Sequence, residues 1–209
     1  MNTAKERQVV VEKEVISDGA VQKPRVRDRI FETACDLFYR HGIRAVGVDA
    51  IASEAGTNKM SFYRSFSSKD QLVAEYLREQ EREGWEWWDA IVAAHPGDAR
   101  TQIEALFDAH VQKTCCPEEF RGCALANAAV EITEPEHPAH AVVREYKSEM
   151  RRRFQQLAKD IGAKDHQCLG DSLMLLFEGS YLTRLTFQQQ GPAQCAAKAA
   201  RNLIAAFVS

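Results

Sequence analysis

Residues 48–66 read VDAIASEAGTNKMSFYRSF, and this stretch decides the fold of the chain. Apolar residues at helical spacing predict a first short helix, namely Val48, Ile51, Ala52 and Ala55. Gly56 ends that helix, because glycine adopts a left-handed backbone conformation at no steric cost. Asn58 can then cap a second helix that runs to Phe66. Two helices joined by a short glycine-containing turn form the helix-turn-helix pattern, whose second helix usually enters the major groove of DNA.

Four motifs lie in register through this region. They are Gly42-Ile43-Arg44-Ala45, Val48-Asp49-x-Ile51-Ala52-x-x-Ala55-Gly56, Lys59-x-Ser61-Phe62-Tyr63-x-x-Phe66 and Ser68-Lys69-Asp70-x-Leu72. Together they resemble the DNA-binding domain of TetR-type transcriptional regulators, and the resemblance covers roughly Arg27 to Leu77 without a gap. The chain departs from the family at Phe62, where leucine is usual, and at Gly47, where serine or threonine is usual.

The resemblance implies an all-α protein with a three-helix helix-turn-helix DNA-binding head and a helical ligand-binding and dimerisation domain. We expect a flexible N-terminal arm over residues 1–22, the head over residues 23–70 and the effector-binding and dimerisation domain over residues 71–209. Apolar periodicity after the head predicts further helices, of which the first is long and spans about residues 68–94. Residues 120–131 are apolar nearly all round and predict a buried helix.

The composition of the 209 residues excludes several other classes of protein. The chain has 45% hydrophobic residues, enough for a core, but no run of 18 apolar residues that predicts a membrane span. The N-terminus lacks the apolar segment of a signal peptide, so we expect a cytoplasmic protein. Six cysteines without a C-x-x-C pair predict reduced thiols rather than disulfides or a structural zinc site.

The distribution of charge favours a DNA-binding head. The net charge of the whole chain is −3, which by itself argues weakly against a nucleic-acid partner. Residues 23–70, however, hold nine Lys and Arg against six Asp and Glu, and residues 71–209 hold fifteen against twenty. A locally basic module on an acidic body is consistent with binding to DNA phosphates, which respond to the nearby charges.

The second helix of the pattern supplies side chains suited to DNA. Base-edge contacts are predicted for Lys59, Met60, Ser61 and Arg64. By the resemblance, Tyr63 and Lys69 match positions that contact the phosphate backbone. Gly47 and Val48 stand where the first helix can offer backbone amides to a phosphate. The alternative is a helix face that is merely solvated.

A small-molecule pocket is predicted in the body, because several helices place aromatic and a few polar residues on faces that should point inward. The predicted wall consists of Trp88, Phe107, Cys123, Asn127, Phe177 and Tyr181. A solid core without a cavity is the alternative. Trp85, Trp87 and Trp88 can serve packing alone, and Asn127 and Glu131, one helical turn apart, can either orient a ligand or pair within the core.

The partners implied by the resemblance are a double-stranded DNA operator, a second copy of the chain and a small-molecule effector. We expect a repressor that leaves a palindromic operator when a small apolar or aromatic molecule binds. The last two helices are predicted to form the subunit contact of the homodimer. The predicted contact residues are Leu173, Phe177, Leu203 and Phe207.

Two other classes of function stay open at this stage. One is a DNA-binding regulator that senses thiol oxidation or a metal, for which the candidate residues are Cys115, Cys116, His137 and His140. The other is a helical enzyme or carrier whose head mediates protein contacts. The sequence has no nucleophile elbow, phosphate-binding glycine loop or paired-histidine metalloprotease motif. We therefore predict no catalytic residue, no cofactor and no metal ligand.

Overall fold

The computed structural model describes residues 24–115, 120–188 and 191–208, and within these ranges the regular structure is helical. These ranges contain nine α-helices and, before the last of them, one short 3-10 helix at Pro192–Cys195. The α-helices are α1 (Val26–His41), α2 (Val48–Glu54), α3 (Lys59–Ser65), α4 (Lys69–Ala93), α5 (Ala99–Cys115), α6 (Ala124–Glu131), α7 (Ala139–Asp160), α8 (His166–Phe187) and α9 (Ala196–Val208). The predicted all-α fold is confirmed. None of the described helices is long and apolar enough to cross a membrane.

The first three helices pack around a small apolar core. Ile30, Ile51 and Phe62 are each fully buried there, one from each helix. Phe62 fills the position where the resemblance led us to expect leucine, and its ring lies 5.7 Å from that of Phe66. The turn between α2 and α3 has the predicted geometry, because Gly56 has a φ of +61° and Asn58 accepts a hydrogen bond from the Ser61 amide at 3.0 Å.

Helix α4 contributes buried side chains both to the core of the head and to the core of the body. Ser68 caps it by accepting from the Gln71 amide at 3.0 Å. At its start, Tyr76 is buried with its ring 5.6 Å from Phe38 of α1. Near its end, Trp88 meets Phe154 of α7 edge-on at 4.8 Å. The boundary at residue 70 stays a prediction, since no break in packing separates the first turns of α4 from the head.

The body is built around Phe154, which is fully buried. Three aromatic rings from three other helices surround it, at 4.8 Å for Trp88, 6.1 Å for Phe107 and 5.7 Å for Phe177. Such aromatic clusters combine a large buried area with favourable edge-to-face contacts. This cluster fixes α4, α5, α7 and α8 relative to one another.

Two helix predictions differ from the structure. The predicted helix over residues 120–131 is shorter, because residues 120–123 are not helical and Gly122 has a φ of +83°. The last helix, which the apolar spacing predicts over residues 193–207, begins as a 3-10 turn at Pro192 and becomes α-helical only at Ala196. The predicted N-terminal arm, residues 1–22, lies outside the described residues.

Helices α7 and α8 approach each other closely at one glycine. A β-carbon at Gly170 would lie 2.6 Å from the Cα, the Cγ and the backbone nitrogen of Gln155. Contacts that short do not occur between real side chains, and the backbone of α7 cannot move aside without disturbing the Phe154 cluster. Glycine is therefore required at residue 170 by packing rather than by backbone conformation.

We predict that Gly170→Ala destabilises the protein by about 1–3 kcal/mol, because the added methyl overpacks the α7–α8 contact. Thermal or urea unfolding of the purified variant measures the loss. Ser172→Ala on the same helix is the control, with an expected change within about 0.5 kcal/mol. Equal stability of the Gly170→Ala variant and the natural chain would contradict this account of the helix contact.

Candidate DNA-binding surface and ligand cavity

One face of α3 points outward with large side chains that the head does not bury. Met60 is 66% exposed and Tyr63 is 50% exposed. Arg64 is also exposed, and its guanidinium makes no ion pair with any described residue. Large exposed apolar side chains beside a free cation are unusual on a surface that only meets water, so this face is the candidate DNA-reading surface.

The remaining predicted DNA-contact residues lie around that face. Lys59 pairs with Asp49 of α2 at 3.2 Å, and Ser61 is half-buried with its carbonyl accepting from the Ser65 hydroxyl. Gly47 is the exposed N-cap residue of α2 and is followed by half-buried Val48. A β-carbon at Gly47 would meet nothing within 4 Å, so the serine or threonine of the family pattern would fit there.

Lys69 has a structural contact in addition to its predicted role at phosphates. Its ammonium donates to the Ile43 carbonyl at 2.6 Å and lies 6.0 Å from the centre of the Phe38 ring. Burial lowers the pKa of Lys69 from its ordinary value, partly offset by the carboxylates of Asp70 and Glu131. The ammonium thus helps to fix the α1–α2 loop, whether or not it also touches DNA.

The same loop is held from the other side by the body. The Glu131 carboxylate, at the end of α6, accepts from the Ile43 amide at 3.0 Å and from the Arg44 amide at 2.5 Å. Arg44 in turn donates to the Glu131 carbonyl at 3.3 Å and to Glu134 at 3.0 Å. We call the two hydrogen bonds from the Ile43 and Arg44 amides to the Glu131 carboxylate the Glu131 contact. It joins the loop that precedes α2 to a helix of the body.

A cavity of about 560 Å³ opens between the head and the body. Its walls come from α1, α4, α5, the segment before α6, α6 itself, α7 and α8, and we call it the α1–α8 cavity. Its larger or polar lining residues are Cys35, Asp36, Tyr39, Gln80, Glu83, Lys113, Phe120, Cys123, Tyr146 and Tyr181. The Phe120 and Tyr181 rings are stacked, with centroids 5.9 Å apart and planes within 10°.

The electrostatics of the α1–α8 cavity are dominated by burial and by nearby carboxylates. Burial, together with the carboxylates of Glu79, Glu83 and Glu32, raises the pKa of the Cys35 thiol to about 12. Burial also raises the pKa of Tyr146 and Tyr181, so both phenols are neutral. No thiolate is therefore expected at Cys35 near neutral pH, and the region around it is electronegative.

Half of the predicted pocket wall lies elsewhere. Trp88, Phe107 and Phe177 belong to the solid cluster around Phe154, where all three are less than 5% exposed. This packing favours the alternative of a solid core at these three residues, and their assignment to the pocket wall stays a prediction. Cys123 and Tyr181 do line the α1–α8 cavity.

The polar groups of Asn127 and Glu131 form hydrogen bonds to other residues of the protein. Asn127 donates to the Arg121 carbonyl at 2.7 Å and lines a neighbouring groove between α1 and α6. With the Glu131 contact, this favours the alternative in which the two polar residues of α6 serve protein contacts.

Sequence reasoning missed Tyr39, Phe120 and Glu83 as cavity residues. Tyr39 lies on α1, which the motif assigned to the DNA-binding head, and Phe120 precedes a helix that was predicted to include it. Glu83 follows the charged, outward-facing pattern of α4. A tertiary contact between α1 and the segment before α6 brings them together, since the Tyr39 hydroxyl accepts from the Arg121 amide at 3.1 Å.

The candidates for thiol or metal sensing are dispersed. Cys116 and the side chain of Cys115 lie outside the described residues. His137 accepts from the Ala139 amide at 3.1 Å and faces Asp70 at 3.5 Å, while His140 lies beside it with ring centroids 6.5 Å apart. No group of three or more metal-ligating side chains occurs in the part of the chain that the structure describes.

The predicted dimer residues divide into two sets. Leu173 and Phe177 are at most 2% exposed within a single chain, where they pack into its own core, so their assignment to the interface stays a prediction that this packing does not favour. Leu203 and Phe207 of α9 are half-buried. The exposed apolar side chains of α8 are instead Leu175, Leu182, Leu185 and Phe187.

These features define a helix-turn-helix DNA-binding protein with a helical body, and comparison with known proteins agrees. Residues 30–76 match the family described as bacterial regulatory proteins, tetR family. The HTH-type transcriptional repressor KstR2 of Rhodococcus jostii (strain RHA1) is 30% identical over 155 residues, which are 71% of each chain. The HTH-type transcriptional repressor SCO4008 of Streptomyces coelicolor is 35% identical over 82 residues, which are 39% of this chain and 41% of that one.

Solved structures extend the similarity over most of the body. SCO4454, a TetR-family transcriptional regulator from Streptomyces coelicolor, superimposes with a TM-score of 0.82 at 28% identity, over 88% of this chain and 96% of that one. The chain therefore belongs to the TetR family of helix-turn-helix transcriptional regulators. It is a regulator rather than an enzyme, as the sequence predicts.

We predict that Glu131→Ala frees the α1–α2 loop, because the Ile43 and Arg44 amides lose their acceptor. Losing a charged acceptor costs about 1.5–3 kcal/mol locally, so exchange of these two amides should accelerate roughly ten- to a hundredfold. Hydrogen exchange followed by NMR measures both. Glu134→Ala is the control, since the Glu134 carboxylate accepts from the Arg44 side chain and the Thr133 amide but from neither the Ile43 nor the Arg44 amide. Unchanged exchange in Glu131→Ala would mean that other groups hold the loop.

Proposed function

We propose that this protein represses transcription by binding a palindromic operator as a homodimer, and that a small molecule in the α1–α8 cavity releases it. The observation that carries the DNA-binding part is the outward face of α3, where Met60, Tyr63 and Arg64 stand clear of the core. The names of KstR2 and SCO4008, both transcriptional repressors, support repression rather than activation.

The chemistry of each side chain decides whether we assign it to base edges or to phosphates. Arg64 and Lys59 would read guanine edges, Met60 would meet a thymine methyl group, and Ser61 would adapt to either. Tyr63, Lys69 and the amides at Gly47 and Val48 would hold phosphates and set the orientation of α3. In the free protein Lys59 pairs with Asp49, so reading a base would require breaking that exposed ion pair, which is a weak interaction.

The proposed homodimer places two copies of α3 on one face of DNA. Leu175 and Leu182 are 74% and 66% exposed on α8, and exposed Gly179 lies between them on the same helical face. A glycine between two leucines lets a second helix approach closely. Two heads joined in this way could match successive major grooves, about 34 Å apart, on a palindromic site.

The proposed release mechanism uses the Glu131 contact. The α1–α8 cavity is lined on one side by Cys123, the N-cap residue of α6, and by Ala124 and Leu125 in its first turn, and the other end of α6 carries Glu131. A ligand that shifts α6 would therefore move the loop that precedes α2. It must bind the DNA-free geometry more tightly than the DNA-bound geometry, or it changes nothing.

The first prediction from the proposed function separates base reading from phosphate binding. Arg64→Ala should weaken binding to the preferred operator by about 1–3 kcal/mol and relax the base preference at one symmetric position in each half-site. Tyr63→Phe should weaken binding to all sequences alike, because phosphates carry no sequence information. Selection of DNA from a random pool by each purified protein gives the two base preferences.

Arg78→Ala serves as the control for charge, because Arg78 is also an exposed arginine but lies on α4 and pairs with Glu145 of the body. Its selected sequences and affinity should match those of the natural chain. If the selected sequences are the same for Arg64→Ala as for the natural chain, Arg64 is not a base-reading residue. Absence of any selected sequence for the natural chain would contradict the proposed function itself.

The second prediction concerns the subunit contact. Leu182→Glu would place an unpaired charge in the proposed interface and should convert the dimer to a monomer at micromolar concentration. Sedimentation velocity measures the change. The control is Val130→Glu on α6, which adds the same charge at a side chain that is 84% exposed. A Leu182→Glu protein that still sediments as a dimer would remove α8 from the interface.

A further inference from the structure

We propose that the α1–α8 cavity selects organic cations with an aromatic or apolar body, over neutral and anionic molecules of the same shape. This inference names the ligand class for the cavity and rests on the proposed function only for the consequence that the ligand releases DNA. Binding itself can be measured without DNA.

The shape and lining of the cavity supply the first argument. Its volume of about 560 Å³ lies within the range of small-molecule sites. Four aromatic side chains, Tyr39, Phe120, Tyr146 and Tyr181, contribute to its walls. Aromatic faces attract cations through the ring quadrupole, while they offer no comparable attraction to anions.

The charges around the cavity supply the second argument. Glu83 of α4 lines the opening, and its carboxylate accepts from the Gln80 amide group at 3.0 Å. Among the described residues it has no ion pair. Asp36 lines the same opening but is offset by Arg40 at 2.8 Å. Glu83 is therefore the uncompensated anion of this site.

The cations near the cavity do not cancel that charge. Lys113 lines the cavity, but its ammonium lies over the ring of Trp87, 5.4 Å from the ring centre, and Trp87 is not a lining residue of the cavity. Lys147 pairs with Glu178 at 2.5 Å, behind Cys123. The raised pKa of the Cys35 thiol reports the same electronegative surroundings, since three carboxylates add to the effect of burial.

A cation that enters would thus meet Glu83 at the opening and aromatic faces further in. An anion of the same size would be repelled by the same carboxylate. A neutral molecule would gain only the apolar contacts. The three kinds of ligand differ in charge alone, so the cavity can be tested with molecules of matched shape.

The test uses (naphthalen-2-ylmethyl)trimethylammonium, its neutral carbon isostere 2-neopentylnaphthalene, and naphthalen-2-ylmethanesulfonate. Binding to the full-length protein without DNA is followed by titration calorimetry or naphthalene fluorescence. We expect the cation to bind at least about tenfold more tightly than the neutral isostere, since the cation–π and carboxylate contacts add. We expect the sulfonate to bind more weakly still.

Two variants locate the selectivity. Glu83→Gln should lower the ratio of cation to neutral affinity by about three- to fivefold, the size of one solvent-exposed ion pair. Phe120→Leu keeps the apolar volume but removes an aromatic face, and should lower the same ratio. Glu86→Gln is the matched control, because Glu86 lies one turn further along α4, pairs with Arg82 and does not line the cavity.

The outcomes separate the inference from the proposed function. Neutral or anionic probes that bind as tightly as the cation, a Glu83→Gln protein with an unchanged ratio, or no binding of any probe would overturn the inference. Release of an operator by the cation is measured separately by fluorescence anisotropy. Selective binding of the cation without operator release would support the inference and contradict the effector role in the proposed function.

Discussion

Helix α4 is the constraint on which the rest of the structure depends. It is one uninterrupted helix of 25 residues, roughly 37 Å long, whose start is buried in the head and whose end is buried against Phe154. Because an unbroken helix resists bending, any change in how its far end packs alters the position of its near end. The orientation of α3 toward DNA is therefore set partly by aromatic packing in the body, far from any DNA contact.

The Glu131 contact adds a second connection between the same two parts of the molecule. Helix α4 fixes the head through apolar packing, whereas Glu131 fixes it through two hydrogen bonds to backbone amides. Lys69 holds the same loop through the Ile43 carbonyl, so loop and helix start are tied together. A regulator built in this way can respond at α6 without disturbing the buried cluster around Phe154.

The head was largely predictable from the sequence, because its information is local. The Gly56 turn, the Asn58 cap and the apolar spacing of α2 and α3 each lie within a few residues and follow general rules of helix termination. The cavity was not predictable to the same degree. Trp88, Phe107 and Phe177 have the composition of a ligand wall, but four helices bring them into contact with Phe154 and leave no space between them. The residues that do line the cavity come from distant segments, and no local pattern in the sequence relates Tyr39 to Phe120.

The contribution of α1 to the cavity has a consequence for engineering. Cys35, Asp36 and Tyr39 form one wall of it, yet they lie within the segment that matches the family by its DNA-binding sequence. Regulators of this kind are natural candidates for chimaeras in which the head of one protein is fused to the body of another. Here a junction placed after the helix-turn-helix would exchange that wall as well, so a new operator preference would come with a changed cavity wall and, under the proposed function, a changed choice of inducer. Grafting only α2 and α3, and retaining the first helix of the recipient, keeps the two specificities independent.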